Sequence, residues 1–374
     1  MRSLGTLSWH RLRRLGDSAK NIFDFEGRRV DAEFQKLRAQ YWREYWTDAA
    51  RAVGAEIEDL GGETFRLRRG GFSTFTYRYQ VQLDDHLTLK IAGNKPLTHR
   101  LLEEMGYRTP RFLEFSLDSL DAADRFRVEL GAPVVVKPAS GTGGGNGVTT
   151  GIDSSGAMRR ASHRAAADHR RMLVEEQVSG DSYRVLYLDG QFVDIVRRDP
   201  PRVVADGVST IAGLMRAETL ARLQASPLMA LHPLSVDLEC DVALRNQGLM
   251  RSSVPEAGRS VIAKAVVNQN AARENHCVRD EVHPSIVQMG HEIVSAFGIE
   301  LGGLDLLTPD ITRPLDEVGG VINEVNTTPG LHHHALMSEE SKRLPVGEMV
   351  LEHVFARIQE RQAVALAREQ VSPA

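Results

Sequence analysis

The sequence predicts a mixed α/β (α+β) fold, and three observations carry that prediction. Residues 131–151, GAPVVVKPASGTGGGNGVTTG, run from a β-branched segment through a glycine-rich loop into a second β-branched segment, the pattern of a strand hairpin. Residues 302–330, GGLDLLTPDITRPLDEVGGVINEVNTTPG, hold two further short apolar strands. Residues 32–54 and 347–370 instead repeat apolar side chains at helical spacing.

Composition bounds what such a chain does. With 374 residues it buries a sizeable core and accommodates two or three domains, and 42% hydrophobic with 26% charged content is that of an ordinary soluble protein. A formal charge of −4 gives no reason to expect nucleic acid, so any anion-binding patch must be local. No apolar run approaches the roughly 20 residues that span a bilayer, so no membrane partner is expected. Cys240 and Cys277 are too few for a disulfide framework, which makes the cytoplasm the expected compartment.

The elements follow in order. The opening, MRSLGTLSWHRLRRLGDSAK, is rich in arginine and lacks the apolar core of a secretory leader, so residues 1–30 read as a flexible basic terminus. Residues 31–92 read as a small N-terminal α/β domain. Its helix, 32–54, carries Phe34, Leu37, Tyr41, Tyr45, Ala49 and Ala52 on one stripe and stops at Gly54. Short strands follow at 56–60, 64–67 and 74–81, with RRGGF as a turn. A third unit, 93–336, opens with a helix at 95–106 that leaves through TPRFLEF into a strand, and it carries a flap-bearing part at about 108–175. Residues 337–374 are helical, with Met349, Val350, His353, Val354 and Ile358 on the apolar face of the 347–370 helix.

Side chains two apart on a strand share a face, so Glu324 and Asn326 converge with Asp305 from the neighbouring strand. Two carboxylates and an amide oxygen are hard donors of the kind Mg²⁺ accepts alongside phosphates, with Mn²⁺ as a substitute. The glycine-rich loop supplies backbone N–H groups for phosphate, and Lys137 adds a point charge just before it. This is not a Walker loop, where the lysine follows the glycines and a helix comes next. His332, His333 and His334 do not form a zinc site, because consecutive side chains diverge. Lys264 lies on VIAKAVV, read as a strand, where a solvated lysine is an ordinary alternative.

The chain resembles the ATP-grasp superfamily, and within it the ATP-grasp domain of cyanophycin synthetase and the glutathione synthetase-like ligases. The matching pieces are NKPLTHRLLEEMGYRTP, VVVKPASGTGGGNGV, VEEQVSGDSYRVLYLDGQFVDIVRRDPPRVVADGVSTI, DEVHP, GLDLLTPDI and INEVNTTPGLHHH, in family order. The resemblance implies ATP held between two α+β subdomains, a carboxylate phosphorylated to an acyl phosphate, and an amine that attacks it. It places Lys95 and Lys137 on the phosphates together with loop residues Ser140, Gly141, Gly143, Gly144 and Gly145. The segment from Val174 meets adenine, with Glu175 as hinge carboxylate, Glu176 as the alternative in a shifted register, and Val178 nearby. Relatives carry an acidic residue where this chain has Ser182, so either Ser182 or the preceding Asp181 contacts the ribose. The arginines Arg184, Arg197 and Arg198 approach phosphate or a substrate carboxylate; of the adjacent pair, Arg198 is the one expected to face the site. Lys264 is assigned to the γ-phosphate and Asn268 to the acyl-phosphate end, where NQNAARENH replaces the family's Ser/Thr- and Gly-rich loop and implies a different substrate.

The expected activity is therefore an ATP- and Mg²⁺-dependent ligase that joins the carboxylate and amine of amino acids or short peptides and releases ADP and phosphate. A small-molecule kinase and a nucleotide-binding module without chemistry are the alternatives. A Mur-ligase-like domain is missing from the sequence, so polymer synthesis is not expected, and homo-oligomerisation is left open.

Overall fold

The computed structural model describes residues 25–140 and 147–371. Helix α1, Phe25–Ala52, ends before Gly54, whose φ of 67° belongs to the left-handed region that glycine adopts without strain. Its buried face is Phe34, Trp42, Trp46, Ala49 and Ala50, with Val53 buried just beyond its end. The expected stripe was therefore rotated: Leu37, Tyr41 and Tyr45 are half-buried and Ala52 is exposed, because the two tryptophan rings fill the core. Strands β1 (Glu56–Gly61), β2 (Thr64–Arg69), β3 (Phe72–Tyr77) and β4 (Gln80–Val81) form an antiparallel meander. The single strand expected over 74–81 breaks at Arg78, which sits at φ 54°.

Helix α2, His86–Ala92, is capped by Asp85, and α3, Lys95–Glu104, by Asn94. A second antiparallel sheet, in the order β5-β8-β6-β7, contains β5 (Phe112–Phe115), then, beyond α4 (Leu120–Leu130), β6 (Val134–Pro138) and β7 (Thr149–Ile152), and, beyond α5 (Ser155–Asp168), β8 (Met172–Glu176). Val134, Val136, Ile152, Met158, Met172 and Val174 form its core with the two helices. The hairpin expected at 131–151 is present, with Val136 opposite Thr149.

The central sheet is five-stranded and antiparallel. It uses β9 (Asp181–Leu188) and β10 (Gln191–Arg198), and a side lobe follows with β11 (Arg202–Val204), α6 (Ile211–Gln224), α7 (Leu238–Arg245) and β12 (Ser260–Ile262). The chain returns through β13 (Asn275–Cys277), α8 (Pro284–Ala296), β14 (Leu301–Thr308) and β15 (Val321–Thr327), giving the order β13-β10-β9-β14-β15. A short helix α9, His332–Ala335, precedes α10, Val346–Val371. Val346, Val350, Leu351, Val354 and Phe355 of α10 join one core with α1, β2 and the ends of β9 and β14. Met349, expected on that face, is exposed, and His353 bonds Glu300. Among the described residues no helix is long and apolar enough to cross a membrane.

Candidate active site

Cross-strand register builds the site. Arg184 on β9 stands opposite Asp305 on β14, and Asp305 opposite Glu324 on β15, so these three side chains form one row on one face. One strand further out, Arg198 on β10 is opposite Ser182 on β9 and Asn275 on β13. Asp305 is buried and accepts bonds from both arginines: Arg184 Nε and Nη2, the latter at 3.1 Å, and Arg198 Nη2 at 3.2 Å. Burial alone would raise the Asp305 carboxyl, but the two guanidinium charges outweigh it and hold it below the ordinary carboxylate range. Burial lowers Arg198, which also feels the neighbouring Arg184 charge.

Gly303 makes room for this arrangement. It lies two residues before Asp305 on the same face, and a Cβ there would sit 2.7 Å from Pro329 Cβ and 3.3 Å from Arg184 Cδ. The Arg184 side chain therefore passes over Gly303 to reach Asp305.

Helix α3 connects this row to the β5–β8 sheet. Lys95 Nζ lies 3.0 Å from Glu324 Oε1. One turn later His99 approaches the Asn323 carbonyl at 3.3 Å and Glu175 Oε1 at 3.9 Å. Glu175 is itself 2.7 Å from Lys137 Nζ, and all three of Lys137, Glu175 and His99 are buried. Burial lowers the His99 imidazole, which leaves it neutral near neutral pH. The backbone of Lys95 bonds the Ala139 carbonyl, and Asn94 bridges Ser140, so α3 is also tied to the root of the glycine-rich loop.

The sequence-selected residues divide accordingly. Lys95, Asp305 and Glu324 come together with Arg184 and Arg198, and Asn326 shares the Glu324 face with its side-chain Nδ2 enclosed and without a hydrogen-bond partner. Arg198 is the inward member of its pair, while Arg197 is half-buried against Asp199. Ser182 accepts a bond from Arg198, whereas Asp181 is exposed on the other face. Glu175 turns inward to Lys137, whereas Glu176 turns out toward Arg108 and Arg111; Val178 is half-buried just beyond. Ser140 meets His169 at 3.2 Å, and Gly141, Gly143, Gly144 and Gly145 lie outside the described residues.

The strand reading of Lys264 needs correction. β12 stops at Ile262, so Lys264 is not on a strand; it is buried against Asp237 at 2.7 Å and Glu239 at 3.7 Å, which pull it out of the pleat into the side lobe. Asn268 lines a small cavity with His232, Asn270, Asn275, His332 and His333. His334 instead donates to Asp194 at 2.8 Å, a carboxylate that Arg279 also holds.

Sequence reading missed His99 and the role of Gly303. The signal for His99 was its position four after Lys95 on a helix, which puts both on one face.

No family model matches the chain. It is 29% identical over 344 residues to cyanophycin synthetase of Trichormus variabilis, covering 87% of this chain and 37% of that protein. It is 28% identical over 306 residues to the glutathione biosynthesis bifunctional protein GshAB of Mannheimia succiniciproducens, covering 79% of this chain and 40% of that one. A solved bifunctional glutathione synthetase from Pasteurella multocida aligns with a TM-score of 0.48 and 22% identity, covering 80% of this chain and 41% of that one. The chain thus spans well under half the length of the curated relatives it matches. Over most of its own length, this chain is thus similar in sequence to cyanophycin synthetase and to the glutathione biosynthesis bifunctional protein.

Proposed function

We propose that the chain is an ATP-dependent ligase that joins a carboxylate to an amine through an acyl phosphate and releases ADP and phosphate, with amino acids or short peptides as substrates. The observation that carries this reading is the row Arg184–Asp305–Glu324 facing Lys95, with Lys137 and Glu175 across helix α3. With Arg198 beside the row, four cations would surround the path of a polyphosphate, and Asp305 and Glu324 are the two carboxylates where a divalent ion would bridge it. Similarity to the relatives above supports the carboxylate–amine class.

Asp305, Glu324 and Asn326 would hold Mg²⁺, or Mn²⁺ in its place. The donor set fits: two carboxylates are opposed across β14 and β15, and Asn326, two residues on from Glu324 on the same face, carries an amide oxygen as a third hard donor. When bound, the ion offsets charge on the transferring phosphoryl group. Lys95 and Lys137 would bind the phosphates with Ser140 and loop glycines 141, 143, 144 and 145. Glu175, Glu176, Val178 and Ser182 would border the nucleoside. Arg198 would hold the acyl phosphate, and Asn268 would border the second substrate. Lys264 would act on the γ-phosphate only after leaving Asp237, its partner in the structure. The two buried free cysteines suit a reducing cytoplasm.

The decisive experiment supplies a carboxylate labelled with ¹⁸O. One label should pass to the released phosphate, and hydroxylamine should trap a hydroxamate when the amine is withheld. A phosphorylated alcohol with no label transfer would instead mark a kinase, and AMP with pyrophosphate would reject an acyl phosphate altogether.

A further inference from the structure

A cleft of about 310 Å³ lies between the β5–β8 sheet and the side lobe, within the roughly 300–1,000 Å³ of small-ligand pockets. Strand β7 and the first turns of α5 form one wall, and α7 forms the other. β7 is the outer strand of its sheet, so no further strand occupies the space beside it. The walls touch at Gly151, where φ is 64° and a Cβ would stand 2.9 Å from Asn246 Nδ2 and 3.5 Å from Val242 Cγ1. Strand alternation separates this cleft from the face that carries Lys137. Lys137 on β6 turns to Glu175, so Val136 beside it turns the opposite way, into the core under α5. Thr149 stands across from Val136 and shares that α5 face.

The lining is polar and unbalanced in charge. Thr149 is 5% exposed, and its hydroxyl makes no hydrogen bond among the described residues. Arg160 on α5 and Arg245 on α7 line opposite walls, and among the described residues neither guanidinium has an ion-pair or hydrogen-bond partner. Asp153 is the one carboxylate of the lining, and it pairs with neither arginine. A buried hydroxyl left unpaired costs free energy, and two unpaired cations on one cleft repel each other. A single anionic ligand answers both.

We propose that this cleft is a second ligand site, apart from the nucleotide and the ligase substrates, for a small molecule carrying a phosphate or carboxylate group. Each guanidinium offers a planar fork of N–H donors that matches such an oxyanion, and a pair of them from opposite walls grips it from two sides. The Thr149 hydroxyl and the Asn246 amide each donate and accept, which suits a polar group on the rest of the ligand. A cationic ligand is disfavoured, because it meets two positive charges and one negative. The bound molecule joins α5 to α7, and with them the strand that follows the glycine-rich loop to the side lobe. None of these residues takes part in the ligase reading, so the site stands apart from it.

The test is calorimetric titration of the full chain with inorganic phosphate, pyrophosphate, succinate and citrate, in the presence of Mg²⁺ and a saturating nonhydrolysable ATP analogue that fills the nucleotide side. At least one probe should bind one-to-one with a Kd of about 1 mM or tighter, and the tighter class, phosphate or carboxylate, identifies the source. Arg160→Gln and Arg245→Gln should each weaken that binding about tenfold or more, the loss of one charge-assisted pair. The analogue itself should bind both variants within about twofold of wild type, because the two sites share no residue. Ala157→Leu, which fills the space without removing a charge, should weaken the probe as well. Hydrogen exchange should slow in both β7 and α7 at saturating probe. No binding by any probe at about 10 mM, binding unchanged in both arginine variants, or slowing confined to the Lys95 and Lys137 segments would overturn the proposal. No turnover is measured, so such a failure leaves the ligase reading standing.

Discussion

Replacing Asp305 by asparagine keeps the shape of the side chain and removes the one charge that neutralises two buried arginines. Arg184 and Arg198 are 8% and 6% exposed, and both donate to this carboxylate. At an effective dielectric near 20, each pair at about 4 Å contributes about 4 kcal/mol of attraction, and part of that offsets the cost of burying the charges. Breaking such a buried pair from one side costs about 3–5 kcal/mol. At about 2–4 °C per kcal/mol, Asp305→Asn should lower the melting temperature by roughly 6–20 °C, measured by thermal unfolding followed by circular dichroism. Adding Arg198→Met should recover part of that loss, because one uncompensated cation disappears. A single variant that loses less than about 1 kcal/mol, with no recovery in the double, would show that the row is solvated as a surface pair is.

Gly303→Ala should cost about 1–3 kcal/mol of stability, since its Cβ must displace Pro329 and Arg184, and ADP release should fall with it as Arg184 shifts off Asp305; normal melting and turnover would contradict the close packing. Lys137→Met should weaken nucleotide binding about tenfold or more in calorimetric titration, and Glu175→Gln in the same protein should restore stability but not affinity, because it removes the buried charge that Lys137 pairs. Burial lowers His232 to about 4 and also lowers His99, His332, His333 and His334. The unfolded chain then binds more protons than the folded one below about pH 6.5, so stability is full above that value and declines as pH falls. Melting temperatures that stay level from about pH 7 to 5 would mean these imidazoles protonate in place.

The strand arithmetic behind Asp305, Glu324 and Asn326 was legible because the period of two is set by the backbone, whatever packs around it. The same arithmetic required Arg197 and Arg198, and likewise Asp181 and Ser182, to lie on opposite faces, without saying which member faces the site. What the sequence hid were pairings between distant elements. Nothing local to VVVKP or VEEQ announces that Lys137 and Glu175 neutralise each other, because that contact depends on the β6–β8 register. Lys264 misled for a related reason: an apolar run with one lysine reads as a strand until Asp237 and Glu239 from a separate helix claim the charge. On α1 the stripe was misjudged because Trp42 and Trp46 outweigh smaller neighbours in burial, and periodicity alone does not weight residues by size.

The charges in the cleft have a common logic. Lys95, Lys137, Arg184 and Arg198 are each held by Glu324, Glu175 or Asp305. In the proposed reaction a magnesium nucleotide brings both signs at once. Asp305 and Glu324 would hold the metal, and Lys95, Arg184 and Arg198, which those carboxylates pair in the structure, would hold the phosphates. Exchange of partners costs less than solvating bare charges, since each buried ion passes from one counter-ion to another. The nucleotide and the ion are therefore expected to bind cooperatively: either alone would strip one sign of charge of its partner. Because α3 carries both Lys95 and His99, the exchange at Glu324 is felt by the helix that also touches Glu175 on the other sheet. Lys95 and His99 thus set one helix turn against charged groups of both sheets.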